Sequence, residues 1–208
     1  MEKIILTEDF FGEDLKLNHS VEKKGNNYYI IGEHALLEEP NENKRIYRKK
    51  IFEREIKKLK DAGVLERRGL IARLEHPKNP EELPPSFTNG CAAFLDMWIE
   101  TKNSKCFLYA KSIILDENFY GKELLGLIKK RVKPGASTRG VGSLKLYDEE
   151  KQIYEVDEDY QFFTIDYVSN PSGGVFPEAI TESKTNQKKV YLSVSDELIR
   201  ILERTKNK

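Results

Sequence analysis

His76, Ser137 and Asp166 are the side chains of this sequence whose types suit acyl transfer. Ser137 stands in KPGASTRGVGS (133–143), a hydroxyl among Gly135, Ala136, Gly140 and Gly142, with Arg139 two residues later. A free hydroxyl is a poor nucleophile at neutral pH, so Ser137 needs a base. His19 lies in the polar stretch KLNHSVEKK and reads as exposed, while His34 follows a strand-like run and fits either environment. His76 is followed at once by Pro77, which biases its backbone to an extended conformation and lets the ring be aimed. The plainer reading is a surface histidine beside a proline-rich loop. A histidine base also needs a group to orient it. Asp166, in FFTIDYV, is a carboxylate inside an apolar strand pattern, unusual unless it is paired. Alternation puts it on the face of Phe162, Thr164 and Val168. Asp96 and Asp116 compete less well, and an outward-facing Asp166 is the plain alternative.

Small residues beside a nucleophile leave room for a substrate backbone, and the N–H groups of Thr138, Arg139 and Gly140 would be free to stabilise an oxyanion. A helix-to-strand turn with an incidental serine explains the same string without chemistry. The string lacks the Gly-x-Ser-x-Gly elbow of an α/β-hydrolase. Gly140-Val141-Gly142 lacks the third glycine and the strand–turn–helix order of a dinucleotide fingerprint. Cys91 and Cys106 are too few for a disulfide framework or a four-ligand zinc site. Either could serve a cysteine hydrolase, although the run CFLYA suits a buried thiol. No metal or organic cofactor is expected.

These residues must be held by the elements around them. RIYRKKIFEREIKKLKDAG (45–63) predicts a helix with Phe52, Ile56 and Leu59 on one face and Gly63 as its stop. Pro77, Pro80, Pro84 and Pro85 forbid a regular element just after His76. AAFLDMWIE and KCFLYAKSIIL, separated by TKNS, predict a hairpin. NFYGKELLGLIKKRV predicts a second helix with Leu124, Leu125, Ile128 and Val132 as its stripe. VGSLKLY, QIYEV and DYQFFTIDYVSNP read as strands, and VSDELIRILERTK as a last short helix. About seven strands, clustered and not alternating with helices, favour an α+β class: a mainly antiparallel β-barrel with flanking helices. Residues 1–176 are expected to form one domain and 177–208 a linker and C-terminal helix.

Charge balances at 35 basic and 35 acidic side chains, which argues against a dedicated nucleic-acid binder. KRIYRKK (44–50) is more simply one solvated helix face. No apolar run of about 18 residues is present, so no membrane span is expected. The start MEKIILTEDFFGEDL lacks the basic and apolar regions of a secretory signal, and both cysteines are expected to stay reduced.

NENKRIY (41–47), LEHP (74–77), GASTRGVGSL (135–144) and TIDYVSNPSGGV (164–175) occur in this order in the prohead core proteases of T-even-like tailed phages. The chain resembles that family over roughly residues 25 to 182. The resemblance implies a serine endopeptidase related in fold to the herpesvirus maturation protease, without cofactor, acting inside the prohead on scaffold and major capsid proteins. It puts the histidine of a His-Pro motif on His76, the nucleophile of a Ser-x-Arg-Gly-x-Gly motif on Ser137 and the carboxylate on Asp166. It also implies self-cleavage, for which ITES (180–183) offers Glu182, and it is compatible with a homo-oligomer. Thr138 stands where serine is common, Ala72-Arg73 where Gly-Glu is common, and Arg48 where proline is common. A non-catalytic phage assembly protein on a related barrel is the alternative, since fold alone does not decide function.

Overall fold

The hairpin expected on either side of TKNS is the spine of the protein. The computed structural model describes residues 4–7, 20–24, 27–79, 82 and 86–173. In chain order the elements are β1 (Ile4–Thr7), β2 (Ser20–Lys24), β3 (Asn27–Leu37), β4 (Arg45–Ile46), α1 (Lys49–Asp61), β5 (Ile71–Arg73), β6 (Gly90–Lys102), β7 (Lys105–Ile114), α2 (Phe119–Lys129), β8 (Gly135–Gly142), β9 (Leu144–Asp148), β10 (Ile153–Val156) and β11 (Gln161–Val168). Strands β6 and β7 pair from Ala92↔Ile114 to Lys102↔Lys105. Their two-residue connection, Asn103 and Ser104, takes φ of 49° and 65°, the left-handed pair that matches the twist of a tight hairpin. The expected C-terminal helix, the linker, His19 and Glu182 lie outside the described residues.

The strands form three sheets in the orders β1-β8-β11, β4-β10-β9 and β2-β3-β7-β6-β5. The strand-rich α+β class therefore holds, but no sheet closes into a barrel among the described residues. The interruption has a local cause. Beyond β5, Leu74 makes a single parallel bridge to Tyr167 of β11, and Glu75 then takes a φ of 63°. That left-handed residue turns the chain away before a second ladder can form. The first and third sheets thus share one backbone bridge, next to His76, and side chains make the other links between them.

Helix α1 buries Ile51, Phe52 and Ile56. Phe52 packs its ring at 5.6 Å from Phe162 and 6.1 Å from Tyr160, so the helix closes over one end of β11. Its basic entrance is matched by carboxylates: Arg48 pairs with Glu155 at 2.6 Å and Lys50 with Glu158 at 2.5 Å. Helix α2 buries Leu124, Leu125 and Ile128 and is capped by Asn118, whose side chain accepts from the N–H of Gly121 at 2.7 Å. Val132 does not join its stripe: it lies past the helix end and is exposed.

The segment GASTRGVG is a buried strand, β8, and not a turn. Its glycines are there for close approach. A Cβ at Gly135 would sit 2.2 Å from Pro171, and one at Gly140 would sit 2.4 Å from the Tyr160 hydroxyl. Real side chains do not fit such gaps, so β8 can lie this tightly only with glycine at these places.

Candidate active site

Strand register does the first part of the assembly. Ser137 of β8 and Asp166 of β11 are directly opposed antiparallel partners, and Arg139 is opposed to Thr164. Opposed side chains share a face, and so do residues two apart along a strand. Ser137, Arg139, Thr164 and Asp166 therefore project to one side. The chain around His76 supplies the second part. Glu75 N–H donates to the Tyr167 carbonyl at 2.8 Å, and the Glu75 carboxylate accepts from the N–H of Ser169 at 2.7 Å. These bonds tie the residue before His76 to β11 and to the residue just past its end.

The imidazole then lies between the other two groups. His76 Nδ1 is 2.8 Å from Asp166 Oδ2, and His76 Nε2 is 2.9 Å from Ser137 Oγ. An ionised Asp166 can only accept, which assigns the proton to Nδ1 and leaves Nε2 as acceptor of the Ser137 hydroxyl. The carboxylate is fully buried, Ser137 is 2% exposed, and the His76 side chain keeps 11% exposure. The structure thus brings together the three residues singled out in the sequence. Asp96, one of the two weaker candidates, instead pairs with Lys60 at 2.9 Å.

Asp166 has more partners than sequence reasoning foresaw. Oδ1 accepts from the backbone N–H of Arg73 at 2.9 Å and from Arg139 Nη2 at 3.1 Å, while Arg139 Nε lies 2.7 Å from Oδ2. The expected oxyanion roles of Arg139 and Gly140 meet an obstacle. Both edges of β8 are paired there, Arg139 with Thr7 and Thr164 and Gly140 with Leu6 and Phe162. The Arg139 side chain points to Asp166. Ser137 and Arg139 stand two apart in the sequence, and strand pairing puts both on one face.

A small crevice, open to solvent, adjoins Ser137 and Thr138 and is lined also by His34, Asn41, Tyr47 and Ser172. Ser172 is buried, and its hydroxyl has no hydrogen-bond partner among the described residues. His34 lies inside β3 and is fully buried. Its Nδ1 donates to the Gly32 carbonyl at 2.8 Å, and its Nε2 is 3.2 Å from the Tyr167 hydroxyl, which in turn meets Ser112 Oγ at 2.6 Å. Burial pulls the His34 pKa down to about 4, against the opposing effect of the Gly32 bond. His34 is therefore neutral at physiological pH.

The cysteines do not offer a second nucleophile. Burial, and then the charge of Asp166, push the Cys91 thiol well up, and it donates to the Ala72 carbonyl at 3.4 Å. Burial also raises Cys106. A thiol held protonated is neither nucleophile nor metal ligand. Among the described residues no group of three or more His, Cys, Asp or Glu side chains could hold a metal ion, and no helix is long and apolar enough to cross a membrane.

The model of one family, described as prohead core protein serine protease, matches residues 11–185. The chain belongs to that family. Membership makes it a peptidase of the phage prohead. The chain is 30% identical over 185 residues to the prohead core protein protease of Enterobacteria phage T4, a match covering 86% of this chain and 79% of that one. Its structure is similar to that of the bacteriophage T4 capsid assembly protease, with a TM-score of 0.62 and 25% identity, covering 82% of this chain and 98% of the other.

Proposed function

We propose that this family member is a serine endopeptidase that cuts scaffold and major capsid proteins inside the prohead, with Ser137 as nucleophile, His76 as general base and Asp166 as the group that orients it. The observation that carries the reading is the unbroken relay from the Asp166 carboxylate through the His76 ring to the Ser137 hydroxyl, at 2.8 and 2.9 Å. Those are the contacts acyl transfer requires. Ser137 Oγ attacks a peptide carbonyl carbon as His76 Nε2 takes its proton, giving a tetrahedral oxyanion. His76 returns that proton to the leaving amine, and the C–N bond breaks. Water, deprotonated by the same nitrogen, then attacks the acyl-enzyme and releases Ser137. We assign oxyanion stabilisation to the backbone at Thr138, where β8 borders the crevice and has β11 as its strand partner. No step calls for a metal or an organic cofactor.

The barrel-like, herpesvirus-protease-like ancestry is part of the same reading. It is supported by the histidine preceding the serine in the chain and by the Leu74–Tyr167 bridge that joins two of the sheets. Self-cleavage at Glu182 belongs to the proposal as well.

Intact mass spectrometry over time tests it, with wild type beside Ser137→Ala, each incubated in separate reactions with the purified scaffold protein of the same phage or with a fluorophosphonate. Wild type should yield scaffold fragments, lose the residues after Glu182 and carry one phosphonyl group on Ser137. Ser137→Ala should do none of these. Fragments from both proteins, or label on another residue of wild type, would sink the serine assignment.

A further inference from the structure

A buried guanidinium lies against the carboxylate of the His76–Asp166 pair. Arg139 is one of the largest fully buried side chains of the protein, with 0% exposure. Nη2 donates to Asp166 Oδ1 at 3.1 Å and Nη1 to the Glu82 carbonyl at 3.2 Å, while Nε lies 2.7 Å from Asp166 Oδ2 as an ion-pair contact without hydrogen-bond alignment. The planar fork spans both carboxylate oxygens, which a lysine ammonium cannot do. A single-point contact would leave the carboxylate free to swing about its Cβ–Cγ bond. The two-point contact fixes its plane, and the Arg73 N–H at 2.9 Å adds a third constraint. With the plane fixed, one oxygen, Oδ2, is left presented to His76 Nδ1 at 2.8 Å.

We infer that Arg139 is a positioning residue: it locks the Asp166 carboxylate so that His76 is aimed at Ser137, and its side chain takes no part in holding the oxyanion or the substrate. This rests on the serine mechanism proposed above. Three features favour it over a purely structural ion pair. The carboxylate that Arg139 grips is the one that touches His76, and by the same atom, Oδ2. Arg139 also shares its strand face with Ser137, so nucleophile and clamp are set by one strand, β8. Arg73 instead turns its guanidinium to Glu82 at 2.8 Å and gives Asp166 its backbone N–H at 2.9 Å.

A double-mutant cycle on Arg139 and Asp166 separates this role from others. The readout is the second-order rate at which a fluorophosphonate labels Ser137, with kcat and KM on a scaffold-derived peptide as a companion. Circular dichroism checks that each variant is folded. Asp166→Asn should slow labelling by about 10⁴-fold, the loss seen when the orienting carboxylate of such a relay is removed. Arg139→Met should slow it by about 10²-fold, the scale of a small misplacement of a catalytic group. Arg139→Lys should fall between wild type and Arg139→Met, with the loss in kcat and KM near its wild-type value. The pair Arg139→Met/Asp166→Asn should label no more slowly than Asp166→Asn alone, since the clamp has nothing left to hold. That pair also removes the buried charge that Arg139→Met leaves unmatched, so it carries the test even if the single variant fails to fold. A further loss in the pair, or a rise in KM as the main effect of Arg139→Lys, would overturn the inference and move Arg139 to the oxyanion or the substrate. Wild-type rates in Arg139→Lys and Arg139→Met would overturn it too. Wild type that takes no label on Ser137 would sink the serine mechanism itself and this inference with it.

Discussion

His34 should make the protein acid-sensitive in a window set by one buried ring. Burial holds its pKa at about 4, against 6.5 for a free histidine. Between those values an unfolded chain takes up a proton that the folded chain refuses. Stability therefore falls as pH drops through 6.5, and levels off for this group below about 4. At about 1.4 kcal/mol for each pH unit between the two values, the loss is about 3 kcal/mol. That is a large share of the roughly 5–15 kcal/mol that holds a typical domain together. The structure leaves the ring little means of accepting the charge. Its Nδ1 already donates to Gly32, and its Nε2 faces the Tyr167 hydroxyl, which burial keeps protonated. Urea unfolding followed by the fluorescence of the lone Trp98, at several pH values from 7 to 4, compares wild type with His34→Gln, which keeps a polar side chain and cannot titrate. Wild type should lose about 3 kcal/mol more than the variant across this range. Carboxylate protonation is common to both proteins and cancels in the difference. Parallel decline of the two would show that the ring is reached by solvent or protonated in place, and would refute the assignment.

Two glycines should respond in opposite directions to the same substitution. Gly140→Ala puts a Cβ 2.4 Å from the Tyr160 hydroxyl and 2.6 Å from the backbone oxygen of Gln161, and backbone cannot yield as a side-chain tip can. Overpacking of this kind costs about 1–3 kcal/mol, and a thermal melt should drop by several degrees; an unchanged melt would mean that β8 and β11 lie further apart than described. Gly126→Ala, in the middle of α2, meets nothing within 4 Å and should raise the melting temperature, since alanine favours a helix over glycine by up to about 1 kcal/mol. A lowered melt there would mean that the open groove between α2 and Leu74 is filled in solution.

What could be read in the sequence, and what could not, divides along the range of the interactions involved. The helices and the central hairpin were legible because their signals are local: apolar spacing in α1 and α2 and a polar break between two β-forming runs. The residue types of the relay were legible because each is odd where it stands: a histidine fixed by proline, a serine among glycines, a carboxylate in an apolar strand. The strand at 135–142 was not legible. Glycine is depleted in strands and common in turns, and the feature that overrides this is a distant one, the packing of Gly135 on Pro171 and of Gly140 on Tyr160. Missing the strand also meant missing its face. Once β8 is a strand in register with β11, Ser137 must stand opposite Asp166 and Arg139 must stand one step along the same face. The glycines thus carry a different meaning from the one first given to them. They let a strand lie close enough to its neighbours that serine, arginine and aspartate are fixed by the pitch of a sheet, which varies far less than the geometry of a turn. A site built this way gains rigidity from the scaffold itself and leaves only the segment around His76 to be positioned by loop contacts. It is there, at Glu75 and its bonds to Tyr167 and Ser169, that the relay depends on single hydrogen bonds.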